Sequence, residues 1–264
     1  MNAGDPESQQ SAANGSALSG AKDNFIYQGR ELEAMAQAAN YHRWIIRIFM
    51  PYLGRHLVEV GAGLGSFSEL LLEHHKCETL ALIEPSAEMY QRLVAKARLL
   101  NMGKGEPGVN TYQSSFVDAA PLIKARQTPD SILYVNVLEH IADDELELEA
   151  VHQTLSAGGR VLLFVPALPW LYGAFDARVG HERRYAKTEL EEKLRQAGFK
   201  IVLSSYFDFA GIAPWWIKYC LLRSAAMEPG SVRFYDRFIV PTLSRIESLV
   251  PPPLGKNLIV VAEK

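Results

Sequence analysis

At 264 residues, 48% hydrophobic and 22% charged, the chain can bury a full core without staples, and Cys77 and Cys220 show no metal or redox spacing. A net charge of −3 leaves no basic footprint, so no nucleic-acid substrate is expected. No stretch reaches the roughly 20 apolar residues of a membrane span, so no transmembrane segment is expected, and the free thiols suit a cytoplasmic location.

Residues 1–23 are rich in Ser, Ala, Gly, Asn and Gln without apolar periodicity, and read as a disordered tail, not a signal peptide. Residues 24–54 read as an N-terminal helical cap. Within it Glu31–Leu53 carries Met35, Ala38, Ala39, His42, Ile45, Ile46 and Phe49 on one stripe and is ended by Pro51 and Gly54. Tyr41 and Arg43 on this helix belong either to the core or to a lid.

A β-rich run at His56–Val60 leads into Glu59-Val60-Gly61-Ala62-Gly63-Leu64-Gly65, and a helix-forming segment follows. Glycines at alternate positions let the backbone turn tightly and approach a ligand that a Cβ would push away, and the next helix opens with free N–H groups. A dinucleotide loop reads G-x-G-x-x-G, but Ser66 stands at the third glycine's position, and Glu59 would repel a pyrophosphate. A ligand with an ammonium group suits Glu59 better. The pattern E-x-G-x-G-x-G resembles the first motif of class I S-adenosylmethionine-dependent methyltransferases. The resemblance implies S-adenosyl-L-methionine as cofactor, with Glu59, Gly61, Ala62, Gly63 and Gly65 around it.

Further strands are expected near Thr79–Ile83, Val109–Gln113, Ser131–Val137 and Arg160–Val165, with helical patterns between them, which predicts a largely parallel sheet. Glu84-Pro85-Ser86, nineteen residues beyond Gly65, is similar to the family's second motif, whose acid accepts hydrogen bonds from ribose hydroxyls. After the third strand the family has an acid at the adenine, whereas this chain reads Gln113-Ser114-Ser115-Phe116; Ser115 and Phe116 are the adenine-side candidates. Asn136-Val137-Leu138-Glu139-His140 is similar to the segment beside the methionine moiety, and Leu155-Ser156-Ala157-Gly158-Gly159-Arg160 to the turn into strand five. Some quinone and RNA-end methyltransferases hold a divalent metal with Glu-x-x-Glu-His; here Asn136 replaces the first Glu, and no metal is expected.

The segment Pro166–Tyr185 is dense in Gly, Pro, aromatic and ionisable residues and is where this architecture places substrate groups. His181 is the candidate general base, because an imidazole titrates near neutral pH. Arg183 and Arg184 are candidates for an anionic end of the acceptor, and Tyr172, Asp176 and Tyr185 for its pocket. A capping box at Thr188 and Glu191 is expected to open the next helix.

Phe199–Phe207 reads as strand six and Asn257–Glu263 as strand seven. The expected fold is α/β: a Rossmann-like, seven-stranded, mostly parallel sheet with an antiparallel last strand and helices on both faces, covering residues 55–264. A helical insertion occupies about 209–254, with Pro241 bending its second helix. It packs as extra core over the sheet edge, forms a substrate lid with Trp215, Trp216, Tyr219 and Phe234, or contacts a membrane surface or a second copy in a homodimer.

The implied function is methyl transfer from S-adenosylmethionine to a small organic acceptor, at oxygen by default, the acceptor being amphiphilic or anionic. An NAD(P)-dependent oxidoreductase and a non-catalytic cofactor-binding subunit are the competing readings.

Overall fold

The computed structural model describes residues 38–101 and 108–264; the expected tail, and the cap as far as residue 37, lie outside the described residues. Seven strands form: β1 (His56–Val60), β2 (Thr79–Ile83), β3 (Gly108–Tyr112), β4 (Ser131–Val135), β5 (Arg160–Pro166), β6 (Lys200–Phe207) and β7 (Asn257–Glu263). Their order is β3-β2-β1-β4-β5-β7-β6. All neighbours from β3 to β5 pair in parallel, and β7 runs antiparallel to both β5 and β6. β4 ends two residues earlier than the sequence predicts, because Asn136 turns into the left-handed region at φ +54 while its N–H still donates to Phe164 O at 2.8 Å.

The central strands are apolar at consecutive positions because both sheet faces are covered. Val58, Ile132, Tyr134, Val161 and Leu163 face one side, where α4 (Phe116–Arg126), α5 (Asp144–Thr154) and α7 (Lys187–Gln196) pack. Leu57, Leu133, Leu162 and Phe164 face the other, against α1 (Ala39–Phe49), α2 (Ser66–His74) and α3 (Ala87–Leu100). A short α6 (Ala174–Val179) follows β5. The capping box expected at Thr188 is absent: Ala186 is the N-cap of α7, without a side-chain bond.

The insertion contains α8 (Ile212–Trp215), which widens into a π-helical turn over Trp216–Leu221, then α9 (Pro229–Phe234), a second π turn (Tyr235–Ile239) and α10 (Val240–Leu249). The second π turn lies directly before Pro241, whose ring would strike the carbonyl of residue 237 in a regular α-helix. The bend expected at Pro241 thus takes the form of a local widening. Asp236 fastens this insertion to α1, whose N-cap Ala38 has no capping side chain: its carboxylate accepts from Tyr41 N at 2.8 Å and Asn40 N at 3.2 Å. An anion there complements the helix dipole.

β1 lies where the strand order reverses, the place at which open α/β sheets bind ligands beyond the carboxyl ends of their strands.

Candidate active site

A cavity of about 1110 Å³ opens at that reversal, walled by the turns after β1 to β5, by α1 and by the insertion. Its floor is the glycine loop. Gly61, Gly63 and Gly65 hold φ of +67°, +55° and +73°, a region that L side chains rarely adopt. A Cβ on Gly61 would lie 2.4 Å from Val137 Cγ2. Gly63 N donates to Glu84 Oε2 and Ser86 N to Oε1, both at 2.9 Å. The acid after β2 is thereby locked against the loop after β1, with acceptor positions left for hydroxyl donors.

Glu59 is buried beneath the loop and lines the cavity, with Ser68 Oγ donating to its Oε2 at 2.6 Å. Burial pushes its carboxyl up to about 7, against the pull of that hydrogen bond. Ala62, Pro85, Ser115, Phe116 and Asn136 also line the cavity. Ser115 caps α4 by accepting from Asp118 N, while Phe116 is almost wholly buried and packs edge-on against Tyr134. The acid missing from 113–116 has a neighbour two residues on: Asp118 lines the cavity and accepts from Ser115 Oγ at 2.7 Å. Gly65 does not line it; a Cβ there would press on Lys96 and Leu93 of α3, so this glycine serves the packing of α2.

His181 also lines the cavity, and its Nδ1 lies 2.7 Å from Asp176 Oδ1, which accepts from Arg184 Nε as well, at 2.9 Å. Asp176 Oδ2 takes Gly173 N at 2.9 Å. Burial alone would raise the Asp176 carboxyl, but His181 and Arg184 hold it below the usual carboxylate range, so it is ionised and accepts only. Nδ1 of His181 therefore carries the proton in this bond, and in the neutral ring Nε2 is the acceptor. Asp176 orients His181 and lies behind the cavity wall, not on it.

Other candidates lie off the cavity or are committed to protein partners. Tyr185 is fully buried, its hydroxyl donating to Asp144 Oδ2 at 2.8 Å with Leu138 O 3.2 Å away; it is a core residue, correcting the expectation of a substrate contact. Arg183 turns to Asp144 at 2.9 Å and to Ala142 O at 2.8 Å, and does not line the cavity. Tyr172 is half-exposed outside it and donates to His181 O at 2.7 Å, steadying the histidine's own backbone. Arg184 does reach the cavity, but its guanidinium is committed to Asp176, to Ala167 O at 3.1 Å and to the face of Trp215 at 4.6 Å.

The sequence alone did not single out Lys256 and Asn257. They enter because β7 is antiparallel, so that its first residue, Asn257, pairs with Pro166 at the carboxyl end of β5. The antiparallel register was the available signal. Lys256 Nζ lies 3.0 Å from Asp208 and above the rings of Tyr41 and Trp215.

Glu139, His140 and His181 offer ligand atoms within 4.8 Å of one another. Glu139 is fully buried, and neither of its oxygens accepts a hydrogen bond from another described residue. Burial pushes it up to about 7, against His181 and Arg184 nearby. Burial also lowers His140 to about 3, so its ring is neutral at pH 7.

The family described as "Methyltransferase domain" matches this sequence over residues 34–204. A search of curated proteins gives no match. Among solved structures, the fold is similar to the methyltransferase candidate complexed with the Trm112 methyltransferase activator of Haloferax volcanii (TM-score 0.59, 14% identity, 89% of this chain and 92% of that one). It is similar to a S-adenosylmethionine-dependent methyltransferase of Archaeoglobus fulgidus (0.54, 16%, 89% and 94%). It is also similar to the 1,6-didemethyltoxoflavin-N1-methyltransferase of Burkholderia thailandensis, solved with 1,6-didemethyltoxoflavin and S-adenosylhomocysteine (0.54, 17%, 89% and 82%). With an alternating sheet, a glycine loop at its reversal and a family match across most of the described sheet, the chain belongs to the class I S-adenosylmethionine-dependent methyltransferase family.

Proposed function

We propose that this protein transfers the methyl group of S-adenosylmethionine to an oxygen of a small amphiphilic acceptor, with His181 taking the acceptor's proton. The observation that carries this reading is that His181, held by Asp176, lines the same cavity as the glycine loop. When bound, the cofactor supplies an electrophilic methyl on a sulfonium. The protein's part is to align the acceptor, exclude water and receive a proton. Glu59 and Glu84 suit an ammonium and ribose hydroxyls, and the left-handed turn at Gly61 and Gly63 brings the backbone to the cavity. The acceptor end has an apolar wall of Phe175, Trp215 and Met227, with His181 and Lys256 as polar groups, which favours an amphiphile with an anionic end. The first test is calorimetric titration of S-adenosylhomocysteine, with NADH and NADPH in parallel, followed by transfer of radiolabelled methyl into candidate hydroxyl acceptors. Binding of a nicotinamide alone would move the protein to the oxidoreductases, and binding of S-adenosylhomocysteine without transfer to any acceptor class would favour a binding subunit.

Glu59 gives the cofactor reading a pH signature. With its carboxyl raised from 4.5 to about 7, the free protein gains stability from this group below pH 4.5 and loses it as pH rises through 7. An ammonium ligand reverses the preference by favouring the carboxylate. Affinity for S-adenosylhomocysteine is therefore expected to fall by up to ~10-fold per pH unit below 7, and Glu59→Gln to bind weakly with a flat profile. Calorimetry between pH 5 and 8 checks this; a flat wild-type profile removes Glu59 from the ammonium site.

Glu139, buried without a hydrogen-bond donor, favours a second reading, in which a divalent cation is held by Glu139, His140 and His181 and chelates the acceptor. The two readings exclude each other at His181, whose Nε2 serves either the cation or the proton. Under the cation reading, protein dialysed against Mn²⁺ or Zn²⁺ retains stoichiometric metal by elemental analysis, Glu139→Gln does not, and chelation abolishes turnover. Metal-free protein with full turnover retires it.

A further inference from the structure

The insertion has two unlike faces. Inward, Trp215 and Tyr219 pack on Phe175 at ring distances of 5.4 and 5.1 Å, and Trp215 and Met227 wall the cavity. Val232, Tyr235, Val240 and Leu243 join the core that contains α1. These contacts account for the folding of the insertion. They do not account for its other face.

Outward, the same helices repeat a pair of neighbours at multiples of four residues: Arg233-Phe234, Arg237-Phe238 and Arg245-Ile246, ending at Leu249-Val250. Phe234 and Phe238 are about 60% exposed and pack against each other with tilted rings at 5.1 Å, and Leu249 is 83% exposed. The preceding segment exposes Trp216, Ile217, Leu221 and Leu222 as well. An isolated exposed leucine is ordinary, but a run of this length on one insertion marks a contact surface.

Charge identifies what it contacts. Within 209–254 four arginines are exposed, Arg223, Arg233, Arg237 and Arg245, against one exposed acid, Glu228. The other two acids are occupied: Asp236 caps α1, and Glu247 accepts from Asp208 N and Phe209 N. A chain with net charge −3 thus concentrates cations beside its exposed aromatics. A specific protein site gathers its binding energy in one central cluster, whereas these Arg-apolar pairs are spread along the segment, with a break at Pro241-Thr242, and suit a fluid surface. Arginine can lie along apolar groups while keeping its guanidinium among phosphates. Among the described residues no helix is long and apolar enough to cross a membrane.

We propose that this outer face docks the protein on an anionic lipid bilayer. Docking would set the cavity wall made by Trp215 and Met227 close to the lipid phase, where an amphiphilic acceptor partitions. That last consequence rests on the proposed methyl transfer; the docking itself does not.

The test is flotation of the full chain with vesicles of phosphatidylcholine alone and of phosphatidylcholine mixed with phosphatidylglycerol, without cofactor or acceptor. Binding to the mixed vesicles is expected, weakened by high salt as screening shortens the reach of the arginines. Replacing Phe234, Phe238 and Leu249 together by serine should reduce it by ~10-fold or more, and R233E with R237E should remove its salt-sensitive part. Retained S-adenosylhomocysteine affinity, or a retained melting temperature if that ligand does not bind, verifies that each variant is folded. Absence of binding to the mixed vesicles at low salt overturns the proposal, as does undiminished binding of the triple-serine variant. A concentration-dependent dimer in sedimentation that the serine variant dissolves, without vesicle binding, gives this face to a second copy and also overturns it.

Discussion

His181→Ala is expected to lower turnover by ~10²–10⁴-fold while leaving S-adenosylhomocysteine affinity nearly unchanged. The asymmetry follows from position. His181 lines the cavity from the segment after β5, and none of its hydrogen bonds reaches the glycine loop, Glu59 or Glu84. Its Nδ1 is held by a buried Asp176 that Arg184 and Gly173 N fix in place, so the ring keeps one tautomer and presents Nε2 as acceptor. Loss of the imidazole removes a preoriented base without unlocking Asp176, which retains Arg184. The measurement is methyl transfer to whichever hydroxyl acceptor the screen finds, beside calorimetry of the same variant. An unchanged rate removes His181 from proton transfer. A parallel loss of cofactor affinity would give it a structural role in the cavity.

Gly63→Val is expected to abolish S-adenosylhomocysteine binding with only a modest loss of stability. Gly63 holds φ +55°, and its N–H fixes Glu84, so the loop and the acid after β2 depend on this one backbone geometry. A β-branched residue in that region costs about 1–3 kcal/mol, which lowers the melting temperature but leaves the two-sided core intact. At the same time any shift of this backbone displaces both the cavity wall to which Gly63 contributes and the Glu84 carboxylate that its N–H holds. Thermal melting and calorimetry separate the two effects. Wild-type affinity in a folded Gly63→Val variant would mean that the loop after β1 is not the cofactor's floor.

Much of the fold was legible because its signals are local. Ile132, Leu133 and Tyr134 read as a strand from their own side chains, and burial on both faces explains why they are apolar without alternation. The glycine loop was equally legible, since three residues with positive φ call for glycine whatever surrounds them. The site was less so. Arg183, Arg184 and Tyr185 are consecutive, yet Arg184 meets Asp176 and the cavity while its neighbours turn to Asp144, forty-one residues from Tyr185. Nothing in their local sequence distinguishes the three, because direction is chosen by a buried carboxylate that packing delivers. The insertion was recognisable as too apolar for a connection. Its division into a cavity wall at Trp215 and an exposed stripe at Phe234 and Phe238 needed the helices in place.

By itself the sequence determined the alternating parallel sheet, the glycine loop after β1, and the acids Glu59 and Glu84 near it, because periodicity, backbone conformation and short spacing are properties of neighbouring residues. Only the tertiary structure decided that Asp176 orients His181, that Glu139 is buried without a hydrogen-bond donor, that Lys256 joins the cavity, and which side of the insertion faces outward. Those depend on groups far apart in the chain, and their meeting is fixed by how the sheet, α1 and the insertion pack, with no trace in local pattern.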